Sequence, residues 1–332
     1  MIFVVLILVH EFGHFIAAKA CGVQVNEFAL GLGPAIVKKK FGETVYAIRA
    51  LPFGGQCVME GEDEESDNPR SFPAAARWKR FIILIAGVTM NFLFGFVLLL
   101  LLLAPEKQYS TPVIESTMEK FTAPESILPG DRLYSIDGRR ILLSRDISSA
   151  LGSGDDYDYD IVLIRDGKKI SLSKVHIEPQ PYEENGETVY YYGFHYVVEK
   201  ITFPVLIKLA WLNAVDMVRL VFDSIGMLLR GQVGFKDLSG PIGIVAVMSD
   251  VARTDMYSFW YLSAFIAVNL AVMNLLPIPA LDGGRIFFLL IEMITRRKIN
   301  EKFEAAVNTV MLVALLGLML VVAVKDIAQL LG

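Results

Sequence analysis

Histidine, cysteine and tryptophan are scarce in this chain, and charge of either sign is thin for a soluble protein. The 332 residues hold four histidines, two cysteines and three tryptophans. Cys21 and Cys57 are too few to build a disulfide framework, and both fall in a segment that the charge pattern places in the cytoplasm, so they read as reduced structural thiols. No basic stripe interleaved with aromatics occurs and the formal net charge is -5, which argues against nucleic acid as a partner. Hydrophobic residues make up 54% against 20% charged. With a mean hydropathy of +0.49 the chain is too apolar for an ordinary soluble domain. The charged fraction is equally too high for a chain made only of membrane helices, so apolar spans and a water-soluble portion must alternate along it.

Residues 1–20 open on an apolar run, Met1 to Val9, which meets His10, Glu11 and His14 before Phe15 to Ala18 resume it. A cleaved signal peptide wants a basic start and an uncharged core, and this segment has neither. The run is short for a span of about 20 residues, so either the chain begins upstream or the helix enters at a tilt. Residues 21–80 are polar, with turn signals at Gly31, Gly33, Pro34, Pro52, Gly54 and Gly55 around β-rich runs such as Thr44 to Ile48, and they predict a small sheet or hairpin. Its basic residues, among them Lys38, Lys39, Lys40, Arg49 and Arg70, place this loop in the cytoplasm; the acidic cluster Glu62 to Glu65 counts little in that rule.

Residues 81–103 predict a second span in which Asn91 is the one strongly polar side chain, expected to face the bundle interior. Residues 106–200 turn polar, acidic and β-alternating, and predict a compact soluble domain. From Pro204 to Arg230, Asp216, Arg219, Asp223 and Arg230 recur at helical spacing, as in an amphipathic helix at the membrane surface. A transmembrane helix there is the alternative, and it would invert everything downstream. Residues 259–291 predict a third span broken by Pro277 and Pro279, and residues 305–324 a fourth. Arg296, Arg297, Lys298 and Lys302 between them belong in the cytoplasm, so an outside start and four crossings export the soluble domain.

The chemistry is carried by His10-Glu11-Phe12-Gly13-His14. On a helix its two imidazoles lie one turn apart on one face and can reach one zinc, with Glu11 placed to carry a proton for the attacking water. Two imidazoles and a carboxylate inside an apolar helix are unfavourable unless paired or metallated, which marks them as a functional site. A catalytic zinc needs a third protein ligand. Asp282 is the leading candidate, because Pro277 and Pro279 force irregular backbone beside it and such backbone at membrane depth needs a cavity. The competing reading is that Asp282 only caps the helix restarting at Gly283. His176 and His195 lie in the exported domain, and Asn274 is a candidate to orient substrate or stabilise the oxyanion.

The HEFGH segment, Pro52-Phe53-Gly54-Gly55, Leu238-Ser239-Gly240-Pro241-Ile242-Gly243-Ile244 and the Asn274 to Gly284 segment together resemble the site-2 protease family of intramembrane zinc metalloproteases. The likeness is to its bacterial branch of regulator-of-sigma-E type, with one PDZ domain, and it covers essentially the whole chain. The resemblance implies a polytopic α-helical membrane protein of four transmembrane helices, with a cytoplasmic-side membrane-associated β-sheet from about Phe28 to Glu60 and an inserted α/β PDZ domain. Its parts would be residues 1–105 (two spans and β-loop), 106–200 (exported PDZ domain, from Pro129-Gly130-Asp131 and Ile136-Asp137-Gly138), 201–258 (surface helix and linker) and 259–332 (two further spans).

The resemblance also implies Zn2+ on His10, His14 and Asp282, Glu11 as catalytic base and Asn274 as a substrate-positioning residue. Its substrates would be single-span membrane proteins in the bacterial cytoplasmic membrane, of anti-sigma-factor or signal-peptide-remnant type. Two departures stand out: Glu125-Ser126 replaces the usual Ala-Gly before the PGD step, and Val88 replaces a proline after Gly87. The readings from other classes are a membrane scaffold built on the PDZ domain, against which Glu11 weighs, and a transporter, for which no inverted repeat is present.

Overall fold

The computed structural model describes residues 2–62, 66–118, 126–152, 156–184, 187–232, 234, 240–297 and 299–331. It divides into two compact units, Met1–Leu102 with Met217–Gly332, and Leu103–Asp216. Among the described residues four helices are long and apolar enough to cross a membrane, Ile2–Cys21, Arg77–Leu103, Met256–Leu275 and Lys302–Gln329, matching the expected number.

Helix α1 (Ile2–Cys21) carries the apolar run straight through the two histidines, and the chain leaves it at Gly22 with φ 80°. Strands β1 (Val25–Phe41) and β2 (Thr44–Met59) follow. Both are long, and they bend where Gly31 (φ 88°), Gly33 (φ 85°) and Gly54 (φ 84°) supply left-handed backbone. At Gly31 a side chain would also lie 2.4 Å from the Leu51 carbonyl oxygen. Before the bend, residues 27–30 pair with residues 45–48 on one side and 55–58 on the other, while beyond it residues 35–41 pair back onto 44–49. Two strands thus make a sheet of four antiparallel segments, more than a simple hairpin, with residues 55–59 along one edge. Glu43, in the turn between the strands, accepts from Lys19 Nζ at 2.6 Å and from Arg70 at 2.7 and 3.0 Å, tying the turn to the end of α1. Helix α2 (Arg77–Leu103) then runs unbroken past Val88, starting four residues before the expected span. Asp63, Glu64 and Glu65 of the acidic cluster lie outside the described residues.

The second unit is built on β3 (Gln108–Thr117), β4 (Arg132–Ile136), β5 (Arg139–Arg140), α3 (Arg145–Leu151), β6 (Asp158–Arg165), β7 (Lys168–His176), β8 (Gln180–Glu184), β9 (Glu187–Tyr191) and β10 (Phe194–Lys200). Its main sheet has the order β10-β3-β4-β6-β7, with β5 on β4 and β8-β9 as a separate pair. The expected alternation is there: Tyr159, Ile161 and Leu163 face inward on β6 and pack with Ile114, Leu133 and Ile136 over Ile147 of α3. Asp131 is buried; its carboxylate accepts from Arg165 at 2.7 Å through both oxygens and from Leu128 N–H at 2.8 Å. Glu125 lies outside the described residues.

Helix α4 (Phe203–Leu229) is one continuous helix. Helix α5 (Pro241–Thr254) starts with proline at its first position, where the missing N–H is not needed; Leu238 and Ser239 of the motif before it lie outside the described residues. Helix α6 (Met256–Leu275) is capped by Asp255, which accepts from Tyr257 and Ser258 N–H at 3.0 and 3.1 Å. Helices α7 (Asp282–Thr295) and α8 (Glu301–Leu331) complete the first unit; Lys298 between them lies outside the described residues. Buried Asp326 of α8 accepts from Gly240 and Gly243 N–H at 3.3 and 2.8 Å, which fixes the start of α5.

The third span expected over residues 259–291 is two helices. Leu276 precedes Pro277 and is held extended (ψ 145°), so α6 stops there and only α6 has the length and hydropathy to cross. Helix α7 docks instead on α2, through Leu84, Ile286 and Leu289 and the Arg80–Glu292 ion pair at 2.6 Å.

The ion pairs on Glu43 hold its carboxyl down to about 2 from an ordinary 4.5, with Arg70 the larger cause and Lys19 the next. A depressed carboxylate stabilises fully above its unfolded value and loses that contribution as pH falls toward its folded one. The stability difference between the parent and Glu43→Gln, followed by chemical denaturation, should therefore be constant above about pH 5 and shrink as pH is lowered through 4 toward 2. A difference that does not vary with pH would contradict this.

Candidate metal centre

His10 and His14 stand one turn apart on α1, and Asp282 is the first residue of α7. The structure brings these three together from opposite ends of the chain. Asp282 Oδ2 lies 3.0 Å from His10 Nε2 and 3.2 Å from His14 Nε2, and the two ring nitrogens are 3.2 Å apart. These atoms can hold one metal ion. The capping reading of Asp282 fails, because the N-cap of α7 is Leu281 and the carboxylate points at the imidazoles.

The arrangement fits a cation on its own chemistry. His14 Nδ1 lies 2.8 Å from the Ile83 carbonyl oxygen, which can only accept, so Nδ1 carries the hydrogen and Nε2 of the neutral ring presents a lone pair. Asp282 Oδ2 is buried with no hydrogen-bond donor among the described residues. One added proton would satisfy one side of this triangle and leave the others repulsive. A tetrahedral zinc with bonds of about 2.0–2.1 Å has ligand-to-ligand edges of about 3.3 Å, close to all three sides at once.

Local sequence explains how each of these three side chains is held. Helix α2 presents to α1 a stripe at four-residue spacing: the Ile83 carbonyl, Gly87 and Asn91. A helical carbonyl is normally covered by the side chain one turn on, and Gly87 has none. A methyl group at Gly87 would stand 2.3 Å from His14 Nε2 and 2.9 Å from His10 Cε1, so glycine there gives the imidazole pair its room. Gly13, between the histidines, likewise lets the helices close, since a Cβ there would meet the Ala86 oxygen at 2.5 Å.

Asp282 is aimed by the loop before it. Pro277 and Pro279 keep residues 276–281 out of the helix, and the loop folds so closely over the start of α7 that a Cβ at Gly283 or Gly284 would lie 2.0 or 2.6 Å from a loop carbonyl oxygen. Ala280 takes φ 72° and donates its N–H to Asn308 Oδ1 of α8 at 3.1 Å.

Glu11 shares a cavity of about 230 Å³ with His10, His14 and Asp282, lined also by Gly55, Cys57 and Glu62. The edge segment of the sheet thus forms one wall of the site, and Gly55 is small because Glu11 Cγ stands 3.0 Å from where its Cβ would be. Burial pushes the Cys57 thiol up, as Glu11 and Glu62 also do, so it stays protonated and inert as expected of a structural thiol. Glu62 pairs with Arg285 at the cavity. Asn274 is half-buried in the last turn of α6 and is not among the residues lining this cavity. Sequence reasoning missed Ile83, Glu62, Arg285 and Asn308; none sits in a spacing that marks it, and Gly87 and Asn91, four apart on α2, were the only available signal.

A lone-pair triangle beside a carboxylate, in a protein with four helices able to cross a membrane, is what a metal-dependent hydrolase of the membrane requires. The description Peptidase family M50 matches residues 1–318, and the chain belongs to that family. It is a zinc metalloprotease, a multi-pass membrane protein with Zn2+ as cofactor. A Clostridium perfringens protein whose name describes a zinc metalloprotease is 38% identical over 98% of this chain and 96% of its own length. The zinc metalloprotease RasP of Bacillus licheniformis is 30% identical over 99% and 98%. The regulator of sigma-W protease RasP of Bacillus subtilis is 29% identical over 99% and 97%.

Gly87→Ala should fold yet bind zinc at least about tenfold more weakly, as measured by competition with a chromophoric chelator. Parental affinity in that variant would show that the imidazoles do not need the space.

Proposed function

We propose that this protein cleaves peptide bonds within or near the transmembrane segments of single-span membrane proteins, with His10, His14 and Asp282 as the zinc ligands and Glu11 as the catalytic base. The observation that carries the reading is the convergence of three lone-pair donors, His14 buried and His10 and Asp282 half-buried, from α1 and α7 beside Glu11 in one cavity. Zinc, when bound, polarises a peptide carbonyl and makes water nucleophilic near neutral pH. Glu11 takes a proton from the attacking water and returns it to the leaving amine. Asn274, in the last turn of α6 and outside the lining of this cavity, is assigned to positioning the substrate.

A transmembrane helix hides its carbonyls in its own hydrogen bonds and must unwind before attack. The 55–59 segment has one edge paired to β1 and runs along the cavity, so its other edge is suited to receive an extended substrate by strand addition. On the opposite edge, Ile36, Val37 and Phe41 are exposed around Lys38, Lys39 and Lys40, a pattern suited to the anionic cytoplasmic surface of the bacterial inner membrane. In this orientation residues 106–200 are an exported PDZ domain that binds peptides or excludes bulky substrates, and α4 lies along the membrane surface. The name of the Bacillus subtilis relative, regulator of sigma-W protease, favours an anti-sigma factor as substrate, with signal-peptide remnants as the other class.

Glu11→Gln should retain zinc and lose cleavage of a single-span substrate by about 10²–10⁴-fold, the usual worth of general acid–base catalysis. His10→Ala should lose both zinc and activity, as should the parent stripped by chelator until zinc is restored. Parental cleavage by the glutamine variant would end the mechanism.

A further inference from the structure

We propose that Asn91 is a positioning residue for His10: its side-chain oxygen accepts a hydrogen bond from His10 Nδ1–H and thereby aims Nε2 at the metal. The proposal rests on the reading of His10 as a ligand and adds a residue to it. Asn91 is 1% exposed in the middle of α2; its Nδ2 lies 3.4 Å from His10 Nδ1, and its Oδ1 is buried without a partner among the described residues.

That placement is consistent with only one protonation of the ring. An amide N–H facing Nδ1 makes Nδ1 an acceptor, so the hydrogen of a neutral imidazole sits on Nε2, which then has no lone pair for a metal. A half-turn about the Cβ–Cγ bond exchanges the two ends of the amide, which are nearly identical in shape and opposite in hydrogen-bonding role. The orphan oxygen then faces Nδ1–H, Nε2 presents its lone pair, and both polar groups are satisfied. His14 already has this arrangement, with Nδ1 on the Ile83 carbonyl at 2.8 Å and Nε2 turned to Asp282. Ile83 and Asn91 stand two turns apart on the same stripe of α2, either side of Gly87. One helix thus supplies an acceptor to each imidazole, by backbone where a glycine uncovers a carbonyl and by side chain where none is uncovered. An asparagine kept only as a bond between helices would have no need to meet the far nitrogen of a ring whose near nitrogen faces the carboxylate.

The test uses the detergent-solubilised full chain, with zinc affinity from chelator competition and the visible spectrum of the Co2+-substituted protein as readouts. Asn91→Leu should weaken zinc binding by about 10–100-fold, the usual cost of losing such a partner, and alter the Co2+ spectrum. Asn91→Asp, which keeps an acceptor, should stay within about threefold of the parent, since a carboxylate is a common partner of a metal-bound histidine. Leucine binding as tightly as the parent, or aspartate binding as weakly as leucine, would overturn the proposal. If the leucine variant does not fold, Asn91→Ala takes its place against the aspartate. His10→Ala separates the two levels: parental zinc affinity there refutes the ligand assignment whatever Asn91 does.

Discussion

Lone pairs crowded together inside apolar surroundings repel one another, and the first unit of this protein is organised around one such crowd. Two imidazole nitrogens and a carboxylate oxygen stand 3.0 to 3.2 Å apart, largely shielded by the surrounding helices. Without a cation this is a standing cost; with one it becomes a binding site, and the packing of α1, α2 and α7 serves to keep the three groups together. Glycine at 87 and 13 lets α2 approach α1, the Arg80–Glu292 pair and the Leu84 cluster seat α7, and Asn308 pins the loop that aims Asp282.

The same packing decides what the site can do. Helix α7 is a short helix docked on α2 and does not continue the α6 crossing, so Asp282 arrives at the histidines from a break in the chain. That break and the edge of the doubled-back sheet leave a polar cavity beside His10, His14 and Asp282, large enough for water. A protease of the membrane needs both: a metal-binding core rigid enough to hold geometry, and an adjoining space where water and an unwound peptide can meet.

Much of this was legible in the sequence. The i, i+4 spacing of His10 and His14 needs only a helix to put both rings on one face, and the requirement for a third ligand singled out Asp282 beside two helix-breaking prolines. Composition separated four apolar spans from a β-rich insert. The supporting residues were not legible, because they act through tertiary contacts without a sequence signature. The Ile83 carbonyl is a backbone atom, Glu62 and Arg285 meet across 223 positions, and Asn308 reaches the Ala280 amide from another helix. The prolines at 277 and 279 marked a break in the third span, but not that the chain beyond them forms a separate short helix packed on α2, which depends on tertiary contacts.

The most direct test of the account is to locate the bound metal in the zinc-loaded protein by anomalous scattering. The account predicts a single ion within about 2.0–2.2 Å of Nε2 of His10, Nε2 of His14 and a carboxylate oxygen of Asp282. An ion bound elsewhere, or one held by the histidines with Asp282 turned away, would contradict it.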